Sequence, residues 1–530
     1  MQGYSKHTHL NMKTIIKSLQ NCWNYQISKP ITGKVIFIAT GLMSTVWFLI
    51  RVIPKPQRAV YPCMRAAAPV MSGFIIYLLT LSGSLNAFLK AKSNFRKARV
   101  LYAFMFLFIA LSGLISLIIQ KPSEALAKSS VQWIIKPNEP LGEARGINPG
   151  RVVWVQDPKV SSWDGKTGFW WDDKVTSQVE ADKMMNSALI SLTGENTLSK
   201  AWKALFVHFN KTKKGKAEGY QDSQKIAIKI NMNNNTSHAS TNEINASPQV
   251  TLALLRTLIR DAQIPQKNIT VFDASRFIPD EIFNKCHQEF REVVFVDNTG
   301  GEGRVKSTYV EHAIPYSKDN GQLAQGLATC AVDADYLINV ALLKGHGGSG
   351  VTLCAKNYYG VTSIENNWRK NFHDNFIPDP QGKPVYLTFV DFLGHKDLGE
   401  KTMLFLIDGL YGAKLVNGVP SPKWQMKPFN GNWPCSLFGS QDGVAIDAVG
   451  LDFLRSEWPD MDDISNSDQY LIEAALANNP PSGTFYDPER DGIKCKSLGV
   501  MEHWNNAAEK EYSRNMGKKT GIELVQNVIK

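Results

Sequence analysis

Four short apolar runs constrain this chain more than any other feature: Lys225–Ile230 (KIAIKI), Ile269–Phe272 (ITVF), Tyr336–Leu343 (YLINVALL) and Thr402–Ile407 (TMLFLI). Each has the length of a buried strand and ends at polar or glycine residues. Between the first two, Ser247-Pro248 opens a helix, with a capping serine and proline at the first helical position. Val250, Leu252, Leu254, Leu255 and Leu258 give that helix its apolar side. A further strand is read at Arg151–Gln156, and a helix follows it with Met184, Met185, Ala188, Leu189 and Leu192 at helical spacing. Strands that alternate with helices predict an α/β fold with largely parallel sheets. The 380 residues from 151 to 530 are enough for a sizeable core, expected as two lobes.

In parallel sheets, ligands bind beyond the carboxyl ends of the strands. Three loops follow such ends. The first, Asn231–Ser247, is rich in asparagine and is entered through Lys229 and Asn231. The second, Asp273–Arg276, offers Ser275 and Arg276. The third, Lys344–Gly360 (KGHGGSGVTLCAKNYYG), carries Gly347, Gly348 and Gly350, then Lys356 and Asn357. Glycines let backbone approach a bound group closely. A lysine beside them suits a carboxylate or phosphate, and an imidazole suits acid–base work. His346 and Lys356 are therefore the candidate catalytic pair. Lys229, Asn231, Ser275, Arg276, Gly347, Gly348, Gly350 and Asn357 are candidate substrate-binding residues.

Other chemistry-bearing residues carry weaker signals. His373 and Asp442 are candidate metal ligands, and Asp442 reads equally well as a helix N-cap. Asp408, followed by glycine, reads as a turn residue. Trp424, Phe429, Trp433 and Phe438 read as packing of a long loop. His287, His312 and His395 read as structural. Cysteine spacing shows neither a CxxC pair nor a ferredoxin-like run, so no iron–sulfur cluster is indicated.

The amino-terminal part answers a different question. Lys34–Ile53, Ala68–Leu89 and Val100–Ile119 are apolar runs long enough to span about 30 Å of hydrocarbon as helices. Residues 1–120 are thus expected to form a three-helix membrane anchor, with 121–150 as a linker and 151–530 as the α/β domain. The net charge of +11 does not mark a nucleic-acid binder. Residues 1–120 hold 14 Lys and Arg and no Asp or Glu, so the rest of the chain sums to −3. Basic residues flanking the runs would meet lipid and set orientation. They point to an integral protein of a bacterial inner membrane, with the bilayer as partner and the large domain outside the cytoplasm.

Four segments in order carry a family resemblance: IKINMN, SPQVTLALLRTLIRDAQIPQKNITVFDAS, LLKGHGGSGVTLCAKNYYG and FGSQDGVAIDAVG. From about Arg151 to Met501 the chain resembles the family of domain of unknown function 362, a label that names no reaction. The spacing of His346, Ser349, Gly350, Thr352 and Lys356 is also similar, more distantly, to the nickel-pincer lactate racemase family. That resemblance implies a nickel pincer tethered to Lys356, an acid–base His346 and a nickel ligand such as His373. The racemase pattern also has a histidine after the second strand. This chain has Asp273-Ala274-Ser275-Arg276 there, and His238 is the available substitute. The residues thus predict an enzyme acting on a small anionic metabolite or sugar acid, with a membrane-tethered metal or redox protein and a noncatalytic ligand-binding module as alternatives.

Overall fold

The computed structural model describes residues 42–47, 49–50, 62–97, 99–119, 135–318, 325–363, 375–379, 382–461, 464 and 467–529. The chain divides into two compact units, Met1–Val131 and Gln132–Lys530. In the first unit, helices α1 (Pro62–Arg96) and α2 (Val100–Ile119) cover the second and third apolar runs.

Among the described residues, no helix is long and apolar enough to cross a membrane. This overturns the expected inner-membrane placement and leaves the three-helix anchor unsupported. In α1 the apolar residues are diluted by Thr80, Ser82, Gly83, Ser84 and Asn86, and the helix ends in Lys90, Lys92 and Arg96. The run Lys34–Ile53 lies outside the described residues except at 42–47 and 49–50, as does the linker before residue 135.

The second unit is built on one sheet. Its elements in chain order are β1 (Arg151–Gln156), α3 (Gln178–Thr193), α4 (Leu198–Lys214), β2 (Ile226–Ile230), α5 (Pro248–Arg256), β3 (Ile269–Asp273) and α6 (Asp280–Glu289). Then come β4 (Val294–Asp297), β5 (Val305–Lys306), β6 (Tyr336–His346), β7 (Gly350–Thr352), α7 (Cys354–Asn357) and β8 (Thr402–Ala413). The last are β9 (Ser436–Ser440), α8 (Gly443–Glu457), α9 (Asp468–Ala475) and β10 (Glu523–Val528). The strands form a ten-stranded sheet in the order β10-β1-β9-β8-β6-β2-β3-β4-β5, with β7 folded back on β6. From β8 to β5 the pairing is parallel throughout. β9 runs antiparallel to both β8 and β1.

The strands are buried on both faces, which is why they read as continuous apolar runs. Ala227, Leu337, Phe405 and Trp154 pack into one layer with α8 and α9. Their neighbours Ile228, Ile338, Leu404 and Val155 pack into the other with α3, α4 and α5. The continuous sheet corrects the expectation of two lobes, because β1 and β10, from opposite ends of the domain sequence, pair with each other at its edge.

The connectivity places a site. After β2 the chain steps outward through β3, β4 and β5, then returns to lay β6 on the other side of β2. Strand order therefore reverses between β2 and β6, and at such a switch point ligands bind beyond the carboxyl ends of the strands.

Candidate functional site at the strand switch point

Lys229 sits near the end of β2, where its side chain enters the sheet face shared with Ala227. It is fully buried. Its ammonium donates to Asp273 Oδ2 at 3.1 Å, Asn357 Oδ1 at 2.8 Å and the Ile230 carbonyl at 2.6 Å. All three protons are thereby used. Asp273 ends β3, and also accepts from Ser275 N, Ser275 Oγ and Met232 N. Asn357 donates to Asn339 Oδ1 at 2.8 Å and to the Val340 carbonyl at 3.1 Å. One ammonium thus ties β2, β3, β6 and α7 together. Burial pulls the Lys229 ammonium below its ordinary pKa, and Asp273 opposes that shift.

Asn231 donates to Asn357 Oδ1 at 3.0 Å, while its own Oδ1 has no hydrogen-bond partner among the described residues. Gly360 is required where it stands. A Cβ there would lie 2.6 Å from Lys229 Nζ and 2.9 Å from Asp273 Oδ1.

The glycine-rich stretch is a β-hairpin. Gly350 pairs with His346, and Thr352 with Lys344. Gly348 and Gly350 have φ of 86° and 76°, a region that side chains with a Cβ rarely enter. The hairpin reverses the chain and delivers α7 beside β6. Lys356 is buried, with its ammonium 4.3 Å from the Tyr359 ring centroid and 4.6 Å from that of Phe376. His346 meets the same Phe376 edge-to-face at 5.8 Å, and its Nδ1 bonds to the Gly347 carbonyl. The sequence-predicted pair therefore flanks one ring. A Cβ on Gly347 would meet only open space.

Two further cations crowd this end of the sheet. Lys344 is fully buried and donates to the Val416 carbonyl at 2.7 Å. Burial first, then the charges of Lys356 and Arg276, push its ammonium well below the ordinary lysine value. Arg276 follows β3 and donates to the Ser275 carbonyl at 3.0 Å. Lys229, Arg276, Lys344 and Lys356 thus gather at this end of the sheet, with Asp273 paired to Lys229.

Other candidates lie elsewhere in the fold. Asp442 caps α8: it accepts from Val444 N, Ala445 N, Arg145 N and Val500 N, which occupies both oxygens and matches its helix-cap reading. Burial raises its carboxyl to about 6. Asp408 accepts from Ser247 N and Oγ at the start of α5. His238 is held between Asp297 Oδ2 at 2.7 Å and Glu302 Oε2 at 3.1 Å, and so pins the asparagine-rich loop to the end of β4. His373 lies outside the described residues.

Sequence reasoning passed over Lys344 and Asn339, which the structure brings to the site or its support. A signal for Asn339 was present, since it is an amide in the middle of the apolar run YLINVALL. Among the described residues, no group of three or more His, Cys, Asp or Glu side chains gathers as a metal site. The Lys356 ammonium lies against the Tyr359 and Phe376 rings.

No curated protein matches the chain. Residues 226–452, the span from β2 into α8 that contains every residue of the switch-point site, match the family model described as Domain of unknown function (DUF362). This match supports the DUF362 family for that region of the chain, and the similarity to nickel-pincer lactate racemases is not shown by it.

Proposed function

We propose that this protein is an enzyme acting on a small anionic metabolite or sugar acid bound at the switch point. Lys356 holds the anionic group, and His346, across the Phe376 ring, supplies the acid–base step. The observation that carries the reading is the gathering of Lys229, Arg276, Lys344 and Lys356 at the carboxyl ends of β2, β3 and β6. Lys229 is committed to internal bonds. Lys356 lies against the Tyr359 and Phe376 rings, beside the glycine-rich hairpin.

The test is calorimetric titration of the full chain with gluconate and with sulfate. Lys356→Ala should weaken both by at least tenfold while circular dichroism stays unchanged. His346→Gln should bind as well as wild type and lose turnover of any carboxylate substrate found by screening. A folded Lys356→Ala protein that binds both anions normally would remove this residue from the site.

A further inference from the structure

Helix α7, which carries Lys356 and Asn357, has four residues. A piece this short has no stability of its own. Asp447, on α8, holds it. Its Oδ1 accepts from Cys354 N at 2.7 Å and its Oδ2 from Ala355 N at 2.9 Å, so the carboxylate straddles the first turn. Tyr470 of α9 donates its hydroxyl to Oδ2 at 3.2 Å. Asp447 is fully buried, and α8 is anchored through Asp442 to the backbone of Arg145 and Val500. The clamp thus fastens the anion site to the helical layer beneath it.

We propose that Asp447 is a positioning residue: its carboxylate clamps the start of α7 and so sets Lys356 and Asn357 at the strand switch point. This rests on the reading of Lys356 as the anion anchor.

The clamp is sensitive to pH. An ionised carboxylate accepts from both N–H groups, whereas a carboxylic acid turns one oxygen into a donor that faces an N–H. Burial raises the Asp447 carboxyl to about 7, and the N–H groups of Ala355 and Cys354 and the Tyr470 hydroxyl keep it from rising further. The other titratable groups against it are Cys354 of α7, Tyr358 just beyond α7 and Tyr470 of α9. Burial pushes all three upward, away from neutrality. Asp447 is therefore ionised and clamping above about pH 7, and protonated below. Anion affinity falls as pH drops, by about tenfold at one unit below the midpoint.

The experiment is calorimetric titration of the full chain with sulfate, whose charge is constant from pH 5.5 to 9. It is paired with hydrogen exchange of segment 350–360, corrected for intrinsic rates. Wild type should lose about tenfold in sulfate affinity between pH 8 and 6, with faster exchange at Cys354 and Ala355. Asp447→Asn should bind about tenfold more weakly at pH 8 with a flat profile. Tyr470→Phe removes one hydrogen bond to the carboxylate, so it should keep full affinity at pH 9 and move the midpoint upward. A flat wild-type profile, or a folded Tyr470→Phe protein with an unmoved midpoint, would overturn the clamp. If instead Lys356→Ala binds sulfate normally while exchange still follows the predicted pH course, the anion-anchor reading fails and the clamp stands.

Discussion

Replacing Lys229 with methionine removes the ammonium at the centre of the site and little else. Methionine keeps most of the volume, so the cavity contribution is small. The lost ion pair is buried on both sides, with side-chain exposures of 0% for Lys229 and 2% for Asp273 and a separation of 3.1 Å. Removing one partner of such a pair costs about 3–5 kcal/mol, because the remaining charge is left uncompensated. Asp273 keeps three donors, from Ser275 N, Ser275 Oγ and Met232 N, and Asn357 Oδ1 keeps the amide of Asn231. These hold the cost toward the lower end of the range, about 3 kcal/mol. Adding Asp273→Asn to Lys229→Met removes the orphaned charge. The double variant should therefore be less destabilised than the sum of the singles, by about 1–3 kcal/mol. Urea unfolding of the full chain, followed by fluorescence of the buried tryptophans Trp154, Trp163 and Trp202, measures all three. A Lys229→Met cost below about 1 kcal/mol, or strict additivity with Asp273→Asn, would refute the central role given to this ammonium.

Three further outcomes follow from the same geometry. Gly360→Ala places a methyl group 2.6 Å from Lys229 Nζ and 2.7 Å from its Cε. It should destabilise the fold by about 1–3 kcal/mol in urea melts, and the loss should shrink when combined with Lys229→Met. Lys356→Ala, which removes the contacts to the Tyr359 and Phe376 rings, should leave the urea midpoint nearly unchanged while abolishing sulfate binding in the calorimeter. For His503, burial alone would depress the imidazole, but Asp452 at 2.6 Å and Asp468 at 3.1 Å outweigh it and push it up to about 10. A raised folded value means that its stabilisation is fully present below pH 6.5 and is lost as pH rises through about 10. His503→Gln should flatten the fall in stability between pH 7 and 10 seen in thermal melts.

The strands and their parallel pairing were legible because burial on both faces leaves uninterrupted apolar runs, and KIAIKI, ITVF and YLINVALL need no further context. The start of α5 was legible for a local reason: Ser247 accepts from Val250 N, with proline at the first turn. The single sheet was not, because β1 and β10 pair across 372 residues of sequence, as the Arg151–Glu523 ion pair also shows. The glycine-rich stretch was read as a ligand-cradling loop because its composition suits one. Its hairpin form depends on the pairing of β7 with β6, which glycine content alone does not specify. The apolar runs at the amino terminus show the converse error. Length and hydropathy of the sequence pointed to spans, and no described helix is long and apolar enough to be one.

The division of labour among the buried lysines was out of reach of the sequence for a physical reason that also ranks them. Lys229, Lys344 and Lys356 all lie at or beyond a strand end, and residue type and spacing treat them alike. Their partners do not. Lys229 is saturated by a carboxylate, an amide oxygen and a carbonyl, and each of these arrives from a different stretch of chain or from its own strand. Lys344 is withdrawn onto the Val416 carbonyl of a distant loop. Lys356 lies on two aromatic faces next to the imidazole of His346. A ring face holds an ammonium by about 0.5–2 kcal/mol, whereas breaking a buried ion pair costs about 3–5. A ligand anion can take Lys229 only by dismantling the junction of β2, β3 and α7, so Lys229 builds this end of the sheet.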